Sequence, residues 1–269
     1  MLDNELRTAL ALADEGARLA LAIEQTDFAV DEKGPSDLVT EADRQVNQLL
    51  CGGLRAAFPN DLVVGEESGF TGTIDAPRAW FVDPIDGTAD FVQRTGEWSI
   101  MIGLAVEGRA RLGVVVQPAT GDTYYAVHGQ GAYHRVGSSR RKLRVSDIDA
   151  ASEATVVGSR NHPDPRLVAL QARLGITRTF QYGSIGCKLA QIAEQRADLY
   201  ANFSGKCHLW DICGPEVLIR EAGGALVDAQ GQPVLYRGES TRFERPFIAT
   251  TSRLLPSVLE AVRALEAEA

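Results

Sequence analysis

Two carboxylates three residues apart, Asp83 and Asp86, bracket a proline in Asp83-Pro84-Ile85-Asp86-Gly87-Thr88. The apolar run before them, Ala79 to Val82, reads as a short strand, and Pro84 blocks its simple continuation. Around such a turn both carboxylates converge on one point, with the Ile85 carbonyl between them. Three hard oxygens in one place suit Mg²⁺, which takes oxygen ligands at ~2.0–2.1 Å. Gly87-Thr88 then opens a helical stretch, Thr88 to Gln93, whose free amides and positive dipole end suit a phosphate. A cation site beside an anion site is the arrangement of a metal-dependent phosphatase. The competing explanation is structural: Asp86 caps the helix and Asp83 belongs to a turn.

Three more acidic clusters add to these two carboxylates. Gly65-Glu66-Glu67-Ser68 directly follows the apolar segment Leu62-Val63-Val64, where surface charge is unexpected. Asp211 opens a helix between Trp210 and Ile212, either as a plain N-cap or as a charge that needs a partner. Thr40-Glu41-Ala42-Asp43 fits a capping box with Asp in place of Glu, and on those four residues alone capping is the favoured role. The histidines, His128, His134, His162 and His208, show no nucleophile or zinc pattern. Neither GxSxG nor GxxxxGK[ST] occurs. Cys51, Cys187, Cys207 and Cys213 form no CxxC pair, which argues against zinc and for reduced thiols in a cytoplasmic protein.

The elements that must position these groups follow from periodicity. Residues 3 to 24 carry apolar positions at helical spacing, from Leu6 through Leu21. Lys33 to Ser36 is a loop. Thr40 opens a second helix with Val46, Leu49, Leu50 and Leu54 on one face, and Gly52-Gly53 with Pro59 are expected to end it. Ser99 to Val106, Leu112 to Gln117 and Asp122 to Val127 read as an antiparallel meander. The second half alternates. Strands are expected at Ala154 to Val157, Arg178 to Tyr182, Leu199 to Asn202 and from Leu226. Helices are expected at Pro165 to Leu174, Gly186 to Gln195, Asp211 to Ala222 and Leu255 to Glu266. The chain thus divides near residue 145. An N-terminal α+β half, 1–145, carries most of the candidate ligands, and a C-terminal α/β half, 146–269, carries Asp211 and the segments that would select a substrate.

The 269 residues, 45% of them hydrophobic, suffice for a sizeable core. A formal net charge of −9 disfavours nucleic acid polymers and anionic membranes as partners. The basic run Arg135 to Arg144, with Arg140, Arg141, Lys142 and Arg144, is expected to be a solvated hairpin or connector rather than an anion site. No segment has the ~18 apolar residues of a membrane span, and the N-terminus does not read as a signal peptide.

The segments Asp37 to Asp43, Gly65 to Ser68, Asp83 to Thr88, Trp210-Asp211 and Glu221 to Gly224, in this order and rough spacing, resemble the inositol monophosphatase superfamily. The resemblance implies a layered αβαβα sandwich, a homodimer, lithium sensitivity, and two or three Mg²⁺ ions held by Glu66, Asp83, the Ile85 carbonyl, Asp86 and Asp211. It implies that metal-activated water attacks phosphorus. Glu66 and Thr88 would orient that water, and Asp43 would make Thr88 a better proton acceptor. A small phosphorylated metabolite would then contact Asp86, Gly87, Thr88, Gly183, Ser184, Lys188 and Asp211. Gly183-Ser184-Ile185-Gly186-Cys187-Lys188, the length of Ala197 to Asp211, and Arg94 to Ser99 resemble the 3′(2′),5′-bisphosphate nucleotidase branch. Hydrolysis of adenosine 3′,5′-bisphosphate to AMP is therefore the expected reaction, with Lys188 or Lys206 meeting a second phosphate unless each is a surface lysine. Ile85 and Ala89-Asp90 resemble the inositol and sugar phosphatases instead, which keeps an inositol-1-monophosphatase as the alternative. A non-catalytic regulatory scaffold is the third reading, and the complete carboxylate set argues against it.

Overall fold

The computed structural model describes residues 2–34 and 37–268; Pro35 and Ser36 of the expected loop lie outside the described residues. In chain order the elements are helix α1 (Asp3–Glu24), strands β1 (Val30–Gly34) and β2 (Asp37–Thr40), helix α2 (Glu41–Ala57), strand β3 (Leu62–Gly65) and a 3₁₀ turn (Glu66–Ser68). Next come β4 (Arg78–Asp86), α3 (Thr88–Val92), β5 (Ser99–Val106), β6 (Arg109–Gln117), β7 (Asp122–Val127), β8 (Gly131–Val136) and β9 (Ser139–Lys142). The second half holds β10 (Thr155–Ser159), α4 (Pro165–Leu174), β11 (Arg178–Tyr182), α5 (Ile185–Ala193), β12 (Leu199–Asn202), β13 (Cys207–His208) and α6 (Leu209–Glu221). It ends with β14 (Gly224–Asp228), β15 (Arg242–Phe243), β16 (Phe247–Thr251) and α7 (Leu255–Glu268).

Five layers result, and side-chain alternation on the strands builds them. On β4, Trp80 and Val82 face α1 and α2, whose Ala13, Ala17, Val46 and Leu50 complete one core. Phe81, on the opposite face, joins Met101 and Val115 against Leu189 of α5 and Val217 of α6. Beyond those two helices lies a second sheet. Its Val157 and Phe247 face inward, while Val156 and Ile248 face outward onto Leu167 of α4 and Val262 of α7. The order is therefore helices, seven-stranded sheet, helices, five-stranded sheet, helices: the αβαβα sandwich expected.

The first sheet runs β3-β4-β5-β6-β7-β8-β9, parallel only between β3 and β4. The three-strand meander of the sequence is thus part of a longer one. Its last hairpin carries the basic run, with all four residues of β9 exposed, as expected of solvated charge, although Arg141 pairs with the buried side chain of Glu194. The second sheet, β11-β10-β12-β16-β14, is mixed: β10 is parallel to β11 and β12, and β16 antiparallel to β12 and β14.

Lys33 and Gly34 of the expected loop end β1, and two expected chain breakers also need correction. Gly52-Gly53 does not end α2, which runs on to Ala57. A Cβ on Gly53 would meet Leu12 Cδ2 at 2.4 Å, so the glycine lets α1 pack closely rather than breaking the helix. Nor does Pro84 stop β4. Asp83 pairs with Met101 and Asp86 with Ser99, so the register shifts between them and Pro84 sits in the bulge, where no regular ladder N–H is required.

Candidate active site

The bulge at the end of β4 turns Asp83 into the molecule. Its side chain is 2% exposed, and Oδ1 has no hydrogen-bond partner. Such an orphan acceptor is costly unless something outside the chain satisfies it. Burial pushes the Asp83 carboxyl well above its ordinary 3.8, and the charges of Glu66, Asp86, Asp211 and Asp43 push it further. Asp211 is also raised well above that value, by burial first and then by Asp86. Acidic groups from β4, the Glu66 turn and α6 thus share one electrostatic neighbourhood and repel one another. Among the described residues no three acidic, histidine or cysteine side chains form a closed cation cage. The donor set nonetheless fits Mg²⁺: hard carboxylate oxygens, one of them unsatisfied, with charge that a divalent cation would neutralise.

Asp86 takes a different part from the helix cap weighed in the sequence. Gly87, not Asp86, caps α3, with φ 91°. Asp86 Oδ2 instead accepts the Gly186 amide at 2.8 Å and the Ser184 hydroxyl, at the N-terminus of α5. Burial raises the Asp86 carboxyl, while the Lys188 charge and these donors pull it back.

Asp43 makes both of the contacts considered for it. Its Oδ2 accepts the Thr40 amide at 2.8 Å and the Thr40 hydroxyl at 2.5 Å, closing the capping box of α2. Its Oδ1 accepts the Thr88 hydroxyl at 3.1 Å, and the Ile85 carbonyl lies 3.2 Å from the same hydroxyl. With its proton directed to Asp43, the Thr88 oxygen keeps its lone pairs for another donor.

The Gly183–Lys188 stretch reaches the same place. Ser184 is the N-cap of α5 with φ 51°, a conformation rare for a side chain other than glycine, and its hydroxyl accepts the Cys187 amide at 3.0 Å. The Gly183 amide donates to Glu97 Oε2 at 2.7 Å. A Cβ on Gly183 would lie 2.4 Å from the Glu97 carbonyl and 2.5 Å from Asp90 Oδ2. Lys188 is not a surface lysine: it is 3% exposed, with Nζ 5.3 Å from the Tyr200 ring centroid, and its charge acts on Asp86. Lys206 is exposed. Asp211 is not an N-cap but the third residue of α6, and its Oδ2 accepts the His208 amide at 2.8 Å.

Sequence reasoning missed Glu97 and Asp90. Glu97 pairs with Arg160, and the buried Asp90 accepts from Thr95 Oγ1 at 2.9 Å and Asn161 Nδ2 at 2.6 Å. Their only signal was acidity, of Asp90 just after Asp86-Gly87-Thr88 and of Glu97 within Arg94–Ser99, without a spacing that names a partner.

Known proteins share this architecture. A family model described as the inositol monophosphatase family matches residues 1–266. A histidinol-phosphatase of Streptomyces coelicolor is 33% identical over 247 residues, 88% of this chain and 91% of the relative. The 3′(2′),5′-bisphosphate nucleotidase CysQ of Escherichia coli K12 is 34% identical over 209 residues, 77% of this chain and 82% of the relative. The solved structure of an IMPase from Thermotoga maritima superposes with a TM-score of 0.84 at 26% identity, covering 98% of this chain and 99% of that one. With the five layers in place and the family matched end to end, the chain belongs to the inositol monophosphatase family and is a phosphatase.

Proposed function

We propose that this phosphatase removes the 3′-phosphate of adenosine 3′,5′-bisphosphate, giving AMP and phosphate, with Mg²⁺ held by Glu66, Asp83, the Ile85 carbonyl, Asp86 and Asp211. The observation that carries the chemistry is the buried, unpartnered Asp83 oxygen in a group of mutually repelling carboxylates. When bound, Mg²⁺ supplies charge neutralisation at the phosphoryl group and acidifies water. The rest falls to the chain. Thr88, its proton given to Asp43, accepts a proton from the attacking water. Glu66 helps orient that water. The Gly87 and Thr88 amides hold phosphate oxygens beside them. The new bond joins water oxygen to phosphorus, the ester bond to the leaving oxygen breaks, and that oxygen takes up a proton from solvent water.

The substrate assignment is supported by the Gly183–Lys188 segment, whose Ser184 and Gly186 engage Asp86, and by the likeness to CysQ. Because Lys188 is buried against Tyr200, its part in this reading is to act on Asp86 from behind, and the exposed Lys206 is left as the candidate for a second phosphate. The same reading makes the enzyme cytoplasmic, with four free thiols, homodimeric and inhibited by lithium. Phosphate release from adenosine 3′,5′-bisphosphate, inositol 1-phosphate and histidinol phosphate, side by side with Mg²⁺, tests it. A preference of about tenfold or more for the nucleotide, ~1.4 kcal/mol in transition-state binding, is expected. An equal preference for the inositol ester would overturn the assignment.

A further inference from the structure

Helix α2 meets the acidic turn through three side chains that form a closed ring. Asn47 Nδ2 donates to Ser68 Oγ at 3.3 Å, Ser68 Oγ donates to Cys51 Sγ at 3.6 Å, and Cys51 Sγ donates to Asn47 Oδ1 at 3.6 Å. Each group gives one proton and takes one, so the directions are mutually consistent. Asn47 and Cys51 are 7% and 1% exposed and stand one turn apart on α2. Ser68 closes the 3₁₀ turn that begins at Glu66, and the Gly65 cap of that turn makes no side-chain capping bond.

A second observation places the ring against Gly65, the residue before Glu66. A Cβ on Gly65 would lie 2.4 Å from Asn47 Oδ1, 2.5 Å from Cys51 Sγ and 2.7 Å from Ser68 Oγ. Gly65 has an ordinary extended backbone, φ −111°, so the glycine is required here by the ring and not by conformation. The same helix carries Asp43, one turn before Asn47, which holds Thr88.

We infer that Asn47, Cys51 and Ser68 are positioning residues: their ring fixes the Glu66 turn on α2, and so sets the distance of the Glu66 carboxylate from Asp83 and from Thr88. This rests on the reading of Glu66 as a Mg²⁺ ligand. A bond-directed ring of this kind holds the turn in one register, while a purely apolar contact would let it slide. Burial raises the Cys51 thiol, which keeps it a proton donor in the ring.

Calorimetric Mg²⁺ titration of the full chain, with thermal melting alongside, tests the inference in Asn47→Leu, Ser68→Ala, Cys51→Ser and Glu66→Gln. Asn47→Leu and Ser68→Ala are expected to weaken Mg²⁺ binding about tenfold with the melting point of the metal-free protein nearly kept. Cys51→Ser, which retains a donor and an acceptor, should bind as the wild type does. In the Glu66→Gln background the Ser68→Ala change should add nothing. Should Asn47→Leu fail to fold, Ser68→Ala decides. Unchanged Mg²⁺ affinity in Ser68→Ala, or a full further loss on top of Glu66→Gln, would overturn the positioning role. Wild-type affinity in Glu66→Gln would instead overturn Glu66 as a ligand.

Discussion

At the scale of single residues, side chains of the acidic site have two duties. Asp43 shows why such a residue is only half legible. Its capping box lies within four consecutive residues and can be read directly, whereas its second oxygen serves Thr88, brought near by the fold. The partners of Asp86, Ser184 and Gly186 at the start of α5, are out of reach of local spacing for the same reason, since they lie far along the chain. Thr88→Val should lower kcat by about 10²–10⁴-fold, the usual range for a positioned proton acceptor, while leaving Mg²⁺ affinity unchanged; steady-state kinetics with calorimetry checks this. The raised carboxyls make a second prediction. Asp83, Asp86 and Asp211 have folded pKa values above their ordinary 3.8, so the fold keeps protons that the unfolded chain has released. The stability they contribute is full below 3.8 and is lost as pH rises through the raised values. Metal-free Asp83→Asn should therefore melt above metal-free wild type at about pH 7.5, with the gap closing as pH falls. Excess Mg²⁺ should reverse the order, because only the wild type keeps its full ligand set. Melts across pH, with and without Mg²⁺, decide it.

Among the elements, those with a clear period were legible and those shaped by a neighbour were not. The bounds of α4, β5, β7, β11 and β12 agree with the sequence reading. Strand β16 was missed, being a short run buried on both faces, without the alternation that marks a half-exposed strand. Gly53 and Pro84 read locally as breakers, yet one admits α1 and the other sits in a bulge that aims Asp83. Helix α6 belongs to the second half of the chain but packs on the first sheet, and this carries Asp211 to the acidic group. The contact needs bare backbone: a Cβ on Gly113 would lie 2.1 Å from the Gly214 carbonyl oxygen, and one on Gly103 2.6 Å from Cys213 Sγ. Gly113→Ala should cost about 1–3 kcal/mol by overpacking, which lowers the melting midpoint by roughly 2–10 °C. By displacing Asp211 it should also weaken Mg²⁺ binding. Calorimetric melting and titration report the two effects separately.

For the molecule as a whole, the five-layer packing brings Glu66, Asp83, Asp86 and Asp211 from distant segments into one electrostatic neighbourhood. The layer order followed from the resemblance, while periodicity alone had given only an antiparallel half and an α/β half. What local spacing withheld was the depth of the acidic group: Asp83 is almost wholly buried with an oxygen left over. Such an arrangement is unfavourable for a chain alone and appropriate for one that completes itself with a cation. The most direct test is a calorimetric titration of Mg²⁺ into the metal-free wild type and Asp83→Asn. Saturable binding by the wild type, weakened about tenfold or more by the substitution while the fold is kept, is the predicted result. Equal Mg²⁺ affinity in the two proteins would contradict the account.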